Sequence, residues 1–170
     1  MSNEPVHGFS DEFERAFNAH SGLIFRTAYR ITGNASDAED ALQNVFLRFL
    51  RRAPGARTVD NEASYFRRAA VNAALDSVRA RTPELGIPLD DLPAAPAQPE
   101  ATGMREALRH ALGKLKPRDA EIFALRFFEE RSNAEIAQML GLSRVLVAVI
   151  VHRTRKQLQN EIRPNQGVRS

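Results

Sequence analysis

At 170 residues the chain can hold one ordinary domain or two small ones, and 43% apolar with 26% charged residues is normal for a soluble globular protein. It has no cysteine, which excludes disulfides and thiolate metal sites, and no apolar run near the roughly 20 residues that cross a bilayer. The net charge of +3 is small but uneven: residues 83–102 hold Glu84, Asp90, Asp91 and Glu100 and no basic residue, whereas residues 131–170 hold seven basic residues against two acidic ones. A basic end of this kind suits a polyanionic partner.

The chain opens with MSNEPVHGFSDEFE, acidic where a secretory signal has its basic start, so a cytoplasmic location is expected, with no membrane insertion. The spacing of Phe13, Phe17, Ile24 and Ala28 predicts a first helix from about Ser10 to Ile31, with a possible break at Ser21-Gly22 and a stop at Gly33. A second helix is expected from Ser36, read as its N-cap, to about Arg52, with the apolar Ala38, Leu42, Val45, Phe46 and Phe49 at helical spacing before Pro54-Gly55 stops it. A third, alanine-rich helix is expected over 61–81, with Phe66, Ala70, Ala73, Ala74 and Val78 inside.

The segment 83–102 contains five of the nine prolines, each fixing its own φ and removing a backbone donor. It predicts an extended, semi-rigid, acidic linker. Four more helices follow near 101–114, 117–129, 132–140 and 143–161, so the whole is expected to be all-α, in two small helical domains: 9–82 and 103–163, joined by the linker 83–102. His7, His20, His110 and His152 are scattered without ligand spacing, and no nucleophile with a partnering base is evident. No catalytic residue, metal, cofactor or small-molecule substrate is expected, and the chain is not expected to be an enzyme.

The sharpest local signal runs from Ser132 to Val147. Ser132 and Glu135 have capping-box spacing, Ala137 is small enough for a close helix crossing, Gly141 stands where the turn needs positive φ, Ser143 caps the next helix, and Val147 returns to the core. This is the spacing of a helix-turn-helix, whose second helix lies in the major groove of DNA. An ordinary helical hairpin has a similar pattern, but here Arg153, Arg155 and Lys156 follow directly. The second helix contains the β-branched run Val145–Val151, which local propensity alone reads as strand, yet the caps and flanking helices require helix. At helical period Val147, Val151, Thr154 and Leu158 are expected inside, with Val145, Ala148, Val149, His152, Arg153 and Lys156 outside.

Across nearly the whole chain these residues resemble the extracytoplasmic-function sigma factors of the sigma-70 family. Asp37-Ala-Glu-Asp-Ala-Leu-Gln-Asn-Val-Phe46 is similar to the family's D-A-E-D-x-x-Q-x-x-F signature, Ser64–Arg79 to its next helix, and Leu115–Glu130 to the lead-in to its helix-turn-helix. The resemblance implies a three-to-four-helix N-terminal sigma domain that binds core RNA polymerase and the −10 element, and a C-terminal domain that binds the −35 element. It implies promoter DNA and an anti-sigma protein as further partners. Carried over by position, Asp37, Glu39, Asp40, Gln43 and Asn44 become polymerase-binding candidates, although carboxylates in a first helical turn also favour the helix dipole. Arg67, Arg68, Asn72, Asp76 and Arg79 become candidates for the −10 strand, with helix-internal packing the alternative for Asn72 and Asp76, and the loop 53–63 becomes a candidate trap for an unstacked base. Ser143, Arg144, Val145, Ala148, Val149, His152, Arg153, Arg155 and Lys156 become candidates for the −35 duplex.

The chain departs from the family where it should read bases. Val145–Ile150 stand where the family usually has Gly-Thr-Val-Lys-Ser-Arg, so Val145, Leu146, Ala148, Val149 and Ile150 replace polar and basic groups. None of them can make the bidentate contact worth ~1–3 kcal/mol per base pair. Two consequences are open: the valines read thymine methyls with shape readout besides, or they form a protein-contact face on a sigma-like regulator with weakened −35 reading. Leu50, where the family often has tryptophan, is expected to be a repacked core position.

Overall fold

The computed structural model describes residues 7–52, 61–81 and 99–163. Among them the chain is all-α: α1 (His7–Thr32), α2 (Ala35–Leu50), α3 (Glu62–Ala80), α4 (Pro99–Lys114), α5 (Pro117–Phe127), α6 (Asn133–Leu140) and α7 (Arg144–Ile162). It divides into two compact units, Met1–Ala74 and Leu75–Ser170. Most of the proline-rich joint, residues 82–98, lies outside the described residues.

In the first unit α1 runs without the expected break at Ser21-Gly22. Gly22 is exposed, and a Cβ there would meet only the tip of Arg26, so the glycine costs a little helix propensity and no packing. Meanwhile Ala16, Ile24, Thr27, Ala28 and Ile31 bury on the opposite face at helical spacing. Gly33, at φ 64°, ends the helix, its N–H donating to the Tyr29 carbonyl at 2.8 Å. Asn34 then takes extended backbone, and its side-chain oxygen accepts the Asp37 N–H at 3.1 Å. The N-cap of α2 is therefore Asn34 and not Ser36, because the left-handed glycine puts the chain into the extended conformation that a cap requires one residue later.

Only two residues separate α1 from α2, and these two helices pack together more extensively than any other pair among the described residues. Ala38, Ala41, Val45 and Phe46 form the buried face of α2. Phe66 of α3 is fully buried, with ring centroids 5.5 Å from Phe46, 5.2 Å from Phe49 and 4.7 Å from the imidazole of His20. Burial of one such side chain stabilises by about 1.5–3 kcal/mol. The start of α3 is held to α1 by Glu62, whose carboxylate lies 3.3 Å from Arg15 and 3.4 Å from His20 Nε2.

In the second unit α4 begins at Pro99, within the segment expected to stay extended through Thr102. Proline is compatible with a first helical turn, since its missing N–H has no intrahelical acceptor there. Pro117 starts α5 in the same way. Leu112, Ile122, Leu125, Ile136 and Val147 are fully buried, one or more from each of α4 to α7, and α7 packs against the other three. The β-branched run is helical as expected. Its Val147 and Ile150 continue into Thr154 and Leu158 at helical spacing, and tertiary burial outweighs propensity differences of at most ~0.7 kcal/mol per residue.

Candidate nucleic-acid interface

The α6–α7 connection is built by local chemistry. Ser132 Oγ accepts the Glu135 N–H at 3.1 Å, while the Glu135 carboxylate accepts the Ser132 N–H at 3.4 Å and the Ser132 hydroxyl at 3.0 Å. These contacts, the Ser132 hydroxyl first, then its backbone N–H and the nearby Arg131 guanidinium, hold the Glu135 carboxyl below its ordinary pKa. Gly141 takes φ 67° and ψ 37°, a left-handed cap that closes α6. Ser143 is extended and its hydroxyl accepts the Leu146 N–H at 3.1 Å, starting α7. Across this turn the chain bends by 111°, within the range of a helix-turn-helix pair.

The bend leaves one side of α7 uncovered. Ser143, Arg144, Val145, Ala148, Val149, His152, Arg153, Arg155 and Lys156, the residues expected to face the duplex, are all exposed. Val145 is 75% exposed and Val149 52%. One expectation needs correction, and one residue is added to the core. Ile150, placed on neither face from sequence, is buried at 4%, because with Val147 and Thr154 it faces the other helices of the unit. Val151, expected inside, is only half-buried, since it lies at the margin of that face.

Arg153 does more than project outward. Its Nη2 donates to both carboxylate oxygens of Asp119 at 3.2 Å, tying α7 to the start of α5. Asp119 is buried while the Arg153 side chain is 59% exposed, so one residue braces α7 against α5 and still presents positive charge at the surface. Sequence reasoning missed Asp119, which is too distant along the chain for any local pattern to reveal.

On α2 the polymerase candidates separate by burial. Asp37 is buried and belongs to the first turn of the helix, where a carboxylate complements the dipole. Glu39, Asp40, Gln43 and Asn44 are exposed together, away from the packed face. Leu47, 47% exposed, extends the same row by one turn and was not singled out from sequence, although its spacing of seven from Asp40 was the signal.

On α3, Arg68 and Asp76 are exposed and Asn72 and Arg79 half-buried, opposite the buried Phe66, Ala70 and Ala74, while the half-buried Arg67 lies at the margin of that buried face. Asp76 and Arg79 form an ion pair at 3.0 Å along one helical turn. The expected base-trapping loop lies outside the described residues from 53 to 60. Its last part is described: Asn61 caps α3, accepting the Ser64 N–H at 2.9 Å.

Residues 16–84 match the family described as Sigma-70 region 2, and residues 105–158 match Sigma-70, region 4. The chain is 30% identical over 159 residues to the RNA polymerase sigma-E factor of Streptomyces avermitilis, an alignment covering 92% of this chain and 88% of that protein. It is also 30% identical over 193 residues to the ECF RNA polymerase sigma factor SigG of Mycobacterium tuberculosis, covering 94% of this chain but spanning only about half, 52%, of the relative's length. Against the crystal structure of the extracytoplasmic function sigma factor SigJ of Mycobacterium tuberculosis the TM-score is 0.47 at 24% identity, covering 88% of this chain and 53% of that one. With both sigma-70 regions matched in order and a relative aligned over most of its length, the chain belongs to the extracytoplasmic-function group of the sigma-70 family and is an alternative sigma factor that directs transcription initiation.

Proposed function

We propose that the two units divide promoter recognition between them: residues 9–82 grip core RNA polymerase and the −10 element, and residues 103–163 seat α7 on the −35 duplex. Glu39, Asp40, Gln43 and Asn44 form the polymerase-facing row of α2. Arg67, Arg68, Asn72, Asp76 and Arg79 meet the −10 strand, and the basic residues of α7 anchor to phosphates, which fix register without reading sequence. The acidic linker 83–102 follows a basic, nucleic-acid-holding channel of the polymerase. The protein works by binding alone in the cytoplasm, without chemistry of its own, and an anti-sigma protein holds it until a stimulus arrives.

The observation that carries this reading is the capped, 111° helix-turn-helix with an uncovered α7 surface rich in basic groups. Transcription reconstituted from the purified chain and core polymerase tests it. Initiation from a defined subset of promoters, absent without the chain, is the expected outcome. Binding to DNA without any gain in initiation contradicts it.

A further inference from the structure

The outward row of α7 poses a specific chemical question. At its centre, where base edges would be met, stand Val145, Ala148 and Val149, all exposed and none able to donate or accept a hydrogen bond. The three share one side of the helix at spacings of three and four residues, opposite the buried Val147, Ile150 and Thr154. Nothing in the second unit covers them, and an uncovered apolar row is the kind of surface that a partner completes.

Charge argues for which partner. The row is bordered by Arg144 at one end and by His152, Arg153, Arg155 and Lys156 at the other, all exposed. An apolar strip framed by cations matches a duplex groove, where phosphates form the rims and base edges the floor. On that floor the major-groove edges of the base pairs display only one apolar group, the C5-methyl of thymine. We propose that α7 selects its upstream promoter element through thymine methyls, with Val145, Ala148 and Val149 as the specificity-determining residues and the surrounding basic side chains supplying affinity without sequence preference. This inference rests on the assignment of α7 to the −35 duplex. It departs from hydrogen-bonded base reading: guanine contacts through arginine have no residue at these positions.

Uracil is the matched probe, because it lacks only the methyl and keeps every hydrogen-bonding group of thymine. Duplexes preferred by the full chain with core polymerase are first selected from a random pool, and each thymine of the upstream element is then replaced by uracil in turn. At one or two positions the replacement is expected to weaken binding about fourfold, the effect of one buried methyl group. Val149→Ala should abolish that discrimination at one of these positions while binding the uracil duplex about as well as the parent does. Since the chain has no cysteine, Val149→Cys gives a single attachment point for a photo-crosslinker. Crosslinks to upstream DNA are expected in the promoter complex.

A sequence-selective element that tolerates uracil at every thymine, or contains no thymine, overturns the methyl reading and leaves the −35 assignment standing. Crosslinks confined to polypeptide also overturn it, and make the row a protein-docking face. Failure to select any preferred duplex overturns both assignments together.

Discussion

Adjacent residues of α7 have opposite fates, and Val149 and Ile150 show the consequence. Both are β-branched, both belong to the apolar run, and both occupy positions where the family usually has polar side chains. Ile150 is 4% exposed and Val149 52%. Truncating Ile150 removes buried methyls and leaves a cavity, so Ile150→Ala should destabilise the second unit by about 2–5 kcal/mol. Val149→Ala, on the open side, should stay within about 0.5 kcal/mol of the parent. Chemical denaturation monitored by circular dichroism gives both values, and equal losses would contradict the assignment of faces. The departure from the family's usual residues thus has two parts: Ile150 belongs to the core of the second unit, whereas Ala148 and Val149 put apolar side chains on its exposed surface.

For whole elements, the helix-turn-helix owes its shape to three local devices: the Ser132–Glu135 capping box, the left-handed Gly141 and the Ser143 cap. The first has a pH signature. The folded state lowers the Glu135 pKa, chiefly through the Ser132 hydroxyl, so the ionised carboxylate is the stabilised form. Its contribution is complete above the ordinary glutamate range and is withdrawn as the pH falls through the lowered folded value. Ser132→Ala should cost about 1 kcal/mol at neutral pH by removing the acceptor for the Glu135 N–H. The difference in thermal midpoint between parent and Ser132→Ala should narrow on acidification below that range; a gap that widens in acid would contradict the coupling. Beyond these local devices the orientation of α7 also depends on the Asp119–Arg153 pair, a partly exposed ion pair worth no more than about 1 kcal/mol in stability, in which one guanidinium nitrogen reaches both oxygens of the carboxylate.

Taken as a whole, the molecule separates a carboxylate-bearing α2 surface in one unit from a basic α7 surface in the other. If Asp40 meets the polymerase, Asp40→Arg should weaken core binding on the order of tenfold or more, through like-charge repulsion at a surface suited to an acid, and leave folding intact. Fluorescence anisotropy of labelled chain titrated with core polymerase measures this, and unchanged affinity removes Asp40 from the interface. Much of the architecture was legible in the sequence. The all-α class, the order of the helices among the described residues, the glycine turns and the caps at Ser132 and Ser143 follow from interactions within a few residues, and neighbours along the chain are sufficient to specify them. The cap at Asn34 was missed by two positions because two side chains suited to capping stand close together and only the backbone after Gly33 selects between them. What the tertiary structure decided was burial and pairing across distance: Asp37 inside while Asp40 stays outside, Ile150 in the core, Asp119 joined to Arg153 from 34 residues away. These depend on the crossing of helices remote in sequence, and helical period alone leaves each margin position free to fall on either side of the packed face.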